Sequence, residues 1–126
     1  MANALKENTA LKNLDLWENF IEDESAELLA NGIKVNQTLI RLDLWGNQIG
    51  DRGANYFAEM LQINRTLKIL NLSCNCITTV GGEKLKNVLK INPIELGFDG
   101  NDVSPELRLI LNTYTSYPFD MDATLF

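Results

Sequence analysis

The sequence contains no histidine and only two cysteines. The absence of histidine removes the commonest general base and the commonest metal ligand. Cys74 and Cys76 are the only thiols, and two thiols fall short of the four ligands that a structural zinc site normally needs. We interpret them as reduced thiols of a cytoplasmic protein. We therefore predict no enzyme, no catalytic residue, no metal and no cofactor.

Long apolar runs are also missing. No uninterrupted apolar stretch approaches the roughly 18–20 residues of a membrane span, and the first residues lack the apolar segment of a secretory signal. The chain carries 17 acidic and 11 basic residues, a net charge of −6, which argues against general binding to phosphate backbones. We expect neither a membrane nor a nucleic-acid partner. The length of 126 residues suits a single domain.

The sequence does contain one string in three copies. NTALKNLDLWENFI, NQTLIRLDLWGNQI and NRTLKILNLSCNCI begin at Asn8, Asn36 and Asn64, which is a 28-residue period. Each copy follows the pattern L-x-x-L-x-L-x-x-N-x-I. Its alternation of apolar and polar positions predicts a short strand with one apolar face. Pairs one helical turn apart, such as Leu29 and Ile33, predict a helix after each strand.

A fourth copy is shorter. Leu96 and Asn101 follow Leu70 and Asn75 two positions sooner than the 28-residue period would place them, so the turn into this strand is compressed. Ser104 and Pro105 then predict a helix start, with serine as the N-cap and proline at the first helical position. We expect that helix to end near Asn112.

These copies resemble the leucine-rich repeat family, specifically its long-repeat, ribonuclease-inhibitor-like class, over residues 2–103. The resemblance implies an α/β fold: a right-handed βα solenoid, with about four parallel strands on a concave side and helices on a convex side. It divides the single domain 1–126 into repeats at about 8–35, 36–63, 64–91 and 92–112. Residues 1–7 are a partial repeat, and residues 113–126 are a C-terminal cap or tail.

Polar residues recur at three places in the repeat. The candidate N-caps of the helices are Asp23, Asp51 and Thr79. The candidate left-handed caps just after the helices are Asn36, Asn64 and Asn92. The turn after each strand carries one member of a predicted buried structural ladder that pairs with backbone groups: Asn19, Asn47, Asn75 and Asn101.

The residues between the strand leucines are expected to point onto the concave face. Trp17 and Trp45 occupy the same frame in adjacent strands, so their rings can stack or pack edge to face. Exposed tryptophans are enriched in binding hot spots, although each ring can also simply cover its neighbour's backbone. The predicted partner-binding residues are Asp15, Trp17, Arg41, Asp43, Trp45, Asn71, Ser73 and Glu95. The acidic residues around the rings are Asp15, Asp43, Glu95 and Asp99, and Arg41 is the lone basic residue, so a protein partner with a basic surface would fit.

The predicted function is a protein–protein interaction module that binds through the concave face. The resemblance leaves two alternatives. Ran-directed GTPase activators share this repeat class, and Arg52 and Arg65 are the loop or turn candidates for such a role. A purely structural segment of a repeat array is the other.

The two ends of the repeat array raise separate expectations. MANALKEN aligns with LANGIKVN, so the chain starts inside the helix of an incomplete repeat, which is either a stub cap or part of a longer array. The first strand, around Asn13–Leu16, would then have an open edge. We expect association through this N-terminal edge, with further repeats or with a second copy of the chain. The C-terminal tail is either a cap over the last repeat or a partner-binding peptide.

Overall fold

Strands and helices alternate along the whole described chain. The computed structural model describes residues 2–115. Its elements in chain order are α1 (Ala2–Glu7), β1 (Asn13–Asp15), α2 (Asp23–Val35), β2 (Arg41–Asp43), α3 (Asp51–Ile63), β3 (Ile69–Asn71), α4 (Thr79–Leu89), β4 (Glu95–Gly97) and α5 (Pro105–Asn112).

The four strands form one parallel sheet in the order β1-β2-β3-β4. Leu14 lies opposite Leu42, Leu42 opposite Leu70, and Leu70 opposite Leu96. The last pairing confirms the shortened offset that the sequence predicts for the fourth copy. Each helix packs against the next along the chain. The predicted fold, a βα repeat solenoid with four parallel strands, is confirmed.

The leucines of the repeat pattern fill the space between the sheet and the helices. Leu42, Leu44 and Ile49 are fully buried, as are Phe57 and Leu61 on the facing helix. The equivalent residues of the first copy are only half-buried: Leu11, Leu14, Leu16 and Ile21. Interior repeats share their core with a neighbour on each side, whereas the first repeat has the short helix α1 on one side.

The asparagines after the strands bridge consecutive repeats. Asn47 accepts hydrogen bonds through Oδ1 from the N–H groups of Asn19 and Ile21, both at 2.9 Å. Its Nδ2 donates to the carbonyls of Leu16 and Leu44, both at 3.0 Å. The backbone of these turns makes some bonds between repeats, such as that from the Gly46 N–H to the Ser73 carbonyl at 3.0 Å. The asparagine side chains pair with buried backbone groups that those bonds leave without a partner.

Asn75 and Asn101 repeat this arrangement in the next two turns. Their Oδ1 atoms accept from the N–H groups of Ile49 and Ile77, each at 3.0 Å. Asn47, Asn75 and Asn101 are buried. Asn19 is exposed, which corrects its predicted place in the buried ladder: its side chain donates to the Trp17 carbonyl of its own turn, and no turn of a preceding repeat lies beside it among residues 2–115.

A second series of asparagines also bridges the repeats, and the predicted left-handed caps at these positions are wrong. Asn36 and Asn64 have φ of −74° and −76°, in the extended region. Asn64 donates through Nδ2 to the carbonyls of Ile33 and Asn36, at 2.7 and 2.8 Å. Asn92 makes the same bonds one repeat later. These side chains therefore donate hydrogen bonds to carbonyl groups at the C-terminal end of the helix one repeat earlier.

The predicted N-caps Asp23, Asp51 and Thr79 are also wrong, by one position. The N-caps are Glu22, Gly50 and Thr78. Asp23 and Asp51 instead accept hydrogen bonds from backbone N–H groups at the start of the helix in the following repeat. Asp51 Oδ1 accepts from the N–H groups of Thr78 and Gly81, at 2.7 and 3.0 Å. Asp23 does the same for Gly50 and Gly53.

Glycine at the third position of α3 and α4 permits this contact. A Cβ atom at Gly53 would lie 2.7 Å from Asp23 Oδ1, and one at Gly81 would lie 2.6 Å from Asp51 Oδ1. A side chain there would push the carboxylate away from the helix N-terminus. Asp23 with Gly53 and Asp51 with Gly81 therefore act as pairs across the two boundaries between α2 and α3 and between α3 and α4.

The C-terminal end of the sheet is covered by the segment that follows α5. The predicted N-cap Ser104 and first-turn Pro105 are confirmed. After α5 the chain returns to β4, where Leu96 donates its N–H to the Tyr114 carbonyl at 3.1 Å and accepts from the Thr115 hydroxyl. Most of the predicted C-terminal cap or tail, residues 116–126, lies outside the described residues.

Substitution of Asn47 by alanine tests the ladder after the strands. We expect Asn47→Ala to lower the free energy of unfolding by about 1–3 kcal/mol, because buried backbone groups lose their partner. Arg52→Ala, an exposed substitution, is the control and should change it by less than about 0.5 kcal/mol. Equal urea midpoints for the two variants would contradict the role of the ladder.

Substitution of Asp51 by alanine tests capping across the repeat boundary. At neutral pH we expect a loss of about 1–2 kcal/mol, as for removal of an N-cap. Desolvation of Asp51 opposes its ionisation, but the bonds from Thr78 and Gly81 lower its pKa below the ordinary 3.8. Its stabilising contribution is therefore present above pH 3.8 and is lost as the pH falls through the lower folded-state pKa.

The measurement is urea unfolding of wild type and Asp51→Ala between neutral and acidic pH. The difference in the free energy of unfolding between wild type and Asp51→Ala should decrease only at acidic pH. Asp99→Ala, at an exposed turn carboxylate, should leave stability at neutral pH unchanged. An Asp51→Ala midpoint equal to that of Asp99→Ala would refute the capping role.

Candidate functional site

The candidate site is the face of the sheet that lies away from the helices, which we call the concave face. Strand register sorts its residues into columns. Asn13, Arg41, Ile69 and Glu95 form the first column, and Asp15, Asp43, Asn71 and Gly97 form the second. Just beyond the strands, Trp17, Trp45, Ser73 and Asp99 continue the pattern as a third column. The eight predicted site residues therefore belong to three adjacent columns.

The two tryptophans are in direct contact. Their ring centroids lie 6.1 Å apart with the ring planes at 80°, a T-shaped arrangement. Both rings are half-buried, so part of each remains available to another molecule. The parallel register of β1 and β2 places the two side chains in the same frame, and edge-to-face packing of two rings is a favourable geometry.

Arg41 and Asp43 form an ion pair beside the tryptophans. Arg41 Nη2 lies 3.1 Å from Asp43 Oδ2, and Asp43 Oδ1 accepts from the Trp45 N–H at 3.0 Å. Burial raises the pKa of the Asp43 carboxyl above its ordinary value, and the bond from Trp45 and the charge of Arg41 offset this only in part. The Asp15 carboxylate raises the pKa further.

The structure corrects the expectation that all eight site residues face solvent. Asp43, Asn71 and Ser73 are buried, with exposed fractions of 7%, 3% and 2%. The Asn71 side chain accepts from the Ser73 N–H at 3.0 Å, as Asp43 does from Trp45, so both hold the turn that follows their strand. The alternation of side chains along a strand predicts which face of the sheet a side chain is on, but it does not predict whether that side chain is exposed. Asp43, Asn71 and Ser73 are therefore not directly accessible to a partner.

Five predicted site residues remain accessible. Asp15 is exposed, and four others are half-buried: Trp17, Arg41, Trp45 and Glu95. Two atoms of the face, Ser73 Oγ and Glu95 Oε2, are inaccessible and make no hydrogen bond within the described structure. An unsatisfied buried polar atom is costly, so this part of the face has unmet hydrogen-bonding capacity.

The arginines considered for GTPase activation lie elsewhere. Arg52 is exposed in the first turn of α3, which corrects its predicted position in a loop or turn. Arg65 is exposed and donates to the Ile91 carbonyl at 3.2 Å. Within residues 2–115, no group of three or more histidine, cysteine or acidic residues is placed to hold a metal ion. None of the helices described is long and apolar enough to cross a membrane.

Phe20 is a prominent surface residue that the sequence pattern does not predict. Its side chain is 79% exposed, and its φ of 56° lies in the left-handed region, which is uncommon for a bulky residue. The equivalent positions in the next two repeats are Gln48 and Cys76. The one feature of the sequence that points to an exposed Phe20 is a bulky aromatic residue at a turn position that is polar or small in the next two repeats.

Two segments of the chain, residues 35–58 and 64–86, match the family model described as "Leucine Rich repeat". No curated protein matches the chain in sequence. Among solved structures, the chain is similar to "Leiomodin-1 Actin-Binding Site 2 (ABS2)", with 23% identity and a TM-score of 0.77 over 91% of this chain and 68% of that one. It is also similar to the tropomodulin C-terminal domain of Caenorhabditis elegans, with 17% identity and a TM-score of 0.72 over 98% of this chain and 84% of that one. At these identities the likeness shows the fold.

Substitution of Asp43 by asparagine tests the electrostatics of the face. The raised folded-state pKa means that ionising Asp43 is less favourable in the folded protein than in the unfolded chain. Wild type should therefore lose stability relative to Asp43→Asn as the pH rises from below 3.8 through the raised value. Urea melts at a series of pH values measure the difference. Parallel pH profiles for the two proteins would contradict this account of the Asp43 site.

Proposed function

We propose that this chain, two segments of which match the leucine-rich repeat model, is a protein-interaction module that binds its partner through the concave face, centred on Trp17 and Trp45. The observation that carries the proposal is the T-shaped pair of half-buried rings. Tryptophan is enriched among the residues whose truncation costs most in protein interfaces.

The surroundings hold the two rings in place before any partner arrives. Asp43 fixes the turn at Trp45, and Asp15 Oδ1 accepts from the Trp17 N–H at 3.4 Å. Each ring also restricts the other. A contact surface whose side chains are already ordered loses less conformational entropy on binding, which supports this face as the binding surface.

The charges around the rings favour a basic partner surface. Asp15 and Asp99 are exposed and Glu95 is half-buried, whereas Arg41 is paired with Asp43. The exposed acidic groups can attract lysine or arginine, and the tryptophan faces can hold such a cation by cation–π contact. Association with such a partner should weaken as salt is added.

Actin is the first defined probe for this proposal. The similar leiomodin-1 structure bears the name of an actin-binding site. That similarity supports the choice of probe, and the contacts proposed at Trp17 and Trp45 rest on this chain's own geometry.

Alanine substitution of both tryptophans tests the proposal. The wild-type chain, Trp17→Ala/Trp45→Ala and the exposed control Arg52→Ala serve as baits for actin and for proteins of a cell lysate, with captured proteins identified by mass spectrometry. We expect the double variant to keep its circular dichroism spectrum and to lose capture, since truncating one hot-spot tryptophan costs about 2 kcal/mol or more. Arg52→Ala should behave as wild type.

Two results would count against the proposal. If the double variant retains every protein that wild type captures, the face is not the binding surface. If the double variant loses its folded spectrum, the rings are structural, and they are not the binding residues that the proposal assigns.

A further inference from the structure

Three aliphatic side chains are exposed at the same position of consecutive repeats. Val35, Ile63 and Ile91 follow one another at the 28-residue period, and their side chains are 55%, 60% and 63% exposed. Val35 and Ile63 are the last residues of α2 and α3, and Ile91 lies just after the end of α4. Packed helices lie about 8–10 Å apart, so the three side chains form a row of about 20 Å along one edge of the solenoid.

The repeats do not use these side chains in their core. In the last turns of α2 and α3 the core positions are Ile33 and Leu61, which are fully buried. Val35 and Ile63 are exposed in the same turns, and β-branched residues are poorer helix formers than leucine or lysine. Single exposed hydrophobic residues are common on proteins, but one position that is aliphatic and exposed in three successive repeats is an extended feature that the fold does not require.

Positive charge is concentrated on the same edge, which we call the basic edge. It is made by the segments that run from the last turn of each helix to the next strand: residues 4–12, 32–40, 60–68 and 86–94. These segments carry seven of the eleven basic residues of the chain and a single acidic residue, Glu7. The seven are Lys6, Lys12, Lys34, Arg65, Lys68, Lys86 and Lys90.

The opposite edge, where strands end and helices begin, has the reverse charge, and we call it the acidic edge. The segments from each strand to the first turn of the next helix carry eight acidic residues and two basic ones, Arg52 and Arg108. The helix α3 has 13 residues, a length of about 20 Å, and the Debye length at physiological ionic strength is about 8 Å. Over that distance salt screens the acidic groups, so the net charge of −6 does not prevent the basic edge from attracting an anionic partner.

We propose that the basic edge binds the surface of a membrane that contains anionic lipids, with Val35, Ile63 and Ile91 inserted among the lipid headgroups. Aliphatic side chains are stabilised at this boundary by leaving water, and basic side chains are stabilised by the negative surface potential. The expectation of no membrane partner rested on the net charge and on the lack of a long apolar run, and neither bears on contact through one edge of the fold.

The shape of the basic edge favours a flat partner over a helical peptide. Amphipathic helices bind in apolar grooves, but the groove between α3 and α4, which Ile91 also lines, has mainly polar side chains, including Asn55, Gln62 and Asn87. The three aliphatic side chains stand at equivalent places in repeats whose strands are in register. They therefore lie at similar heights on the edge, as contact with a planar surface requires.

Hydrogen bonds hold two of the positive side chains close to the aliphatic row. Arg65 donates through Nη1 to the Ile91 carbonyl at 3.2 Å, and Lys68 donates through Nζ to the Arg65 carbonyl at 2.8 Å. Both side chains are exposed, so their remaining N–H groups can donate to the phosphate and carboxylate oxygens of lipids. The positive charge is thus already in place where the aliphatic side chains would meet the membrane.

Co-sedimentation with lipid vesicles tests the proposal directly. The probes are vesicles of phosphatidylcholine alone and vesicles in which about a third of the lipid is phosphatidylserine, an anionic lipid of membranes. We expect the wild-type chain to bind the anionic vesicles and to bind the neutral ones at least about tenfold more weakly. Added salt should release it from the anionic vesicles.

Two double variants separate the contributions of charge and of aliphatic contact. Lys68→Gln/Lys90→Gln should lower the affinity for anionic vesicles by about twenty-fivefold, since each basic residue near an anionic surface contributes about fivefold. Ile63→Gln/Ile91→Gln should lower it by about tenfold or more, because two aliphatic side chains no longer leave water on binding.

Arg52→Gln/Arg108→Gln is the matched control, because it removes the same charge from the acidic edge. It should bind vesicles as wild type does. The positions changed in all three double variants are exposed, so we expect each variant to keep the circular dichroism spectrum of wild type.

Substitution of Ile63 by tryptophan reads out the orientation of the bound chain. In Ile63→Trp the introduced ring should be quenched by lipids that carry bromine on their acyl chains. Trp17 and Trp45 follow the C-terminal ends of their strands, away from the basic edge, so the wild-type chain should show little quenching when it is bound.

Several outcomes would overturn the proposal. A folded wild-type chain that does not bind anionic vesicles excludes this membrane contact, and a protein captured through the basic edge in that case would identify a protein partner instead. Equal losses in the basic-edge charge variant and in the matched control would mean that net charge alone decides binding. Strong quenching of Trp17 and Trp45 in wild type would mean that another face meets the lipid. Each of these results is independent of whether the two tryptophans bind a protein partner.

Discussion

Backbone groups in the turns between strands and helices are the constraint on which this structure depends. Backbone bonds between consecutive turns, such as those from Gly46 to Ser73 and from Cys76 to Ile49, satisfy only some of these groups, and the remaining buried groups must find other partners. Side chains one repeat away supply them. Asn47 bonds to backbone groups of the preceding repeat, Asn64 does so at the helix ends, and Asp51 caps the helix of the following repeat. The 28-residue period of the sequence is the spacing that brings donor and acceptor together.

These bonds between repeats affect the exposure of residues in the first repeat and on the concave face. Interior repeats receive bonds from two neighbours, whereas in the first repeat Asn19 is exposed and the leucines are half-buried. On the concave face the side chains of Asp43 and Asn71 are used to hold turns. That leaves the two tryptophans, held by those turns and by each other, as accessible aromatic side chains of the face. The side-chain bonds that stabilise the turns therefore also determine which residues are accessible on the proposed binding surface.

Much of the fold could be predicted from the sequence, because strand register follows from the repeat. The shortened offset at Leu96 and the helix start at Ser104 are visible in the pattern, and the structure confirms both. The role of Asp51 is not visible, because its partners lie in the next repeat rather than in its own helix. For the candidate site, the frame shared by Trp17 and Trp45 was predictable, but the burial of Ser73 and the exposure of Phe20 were not. Exposure depends on what packs above each residue, which a period does not encode.

Native-state amide hydrogen exchange at Ile49 and Ile77 tests the central claim most directly. Each of these N–H groups donates to an asparagine side chain of the next repeat, Asn75 or Asn101, at 3.0 Å. If these side chains hold the repeats together, the two amides should exchange only through openings close in free energy to global unfolding, as the amides in the middle of α3 do. Exchange of both amides at the rates of exposed loop positions, while α3 stays protected, would show that the asparagine ladder does not carry the fold.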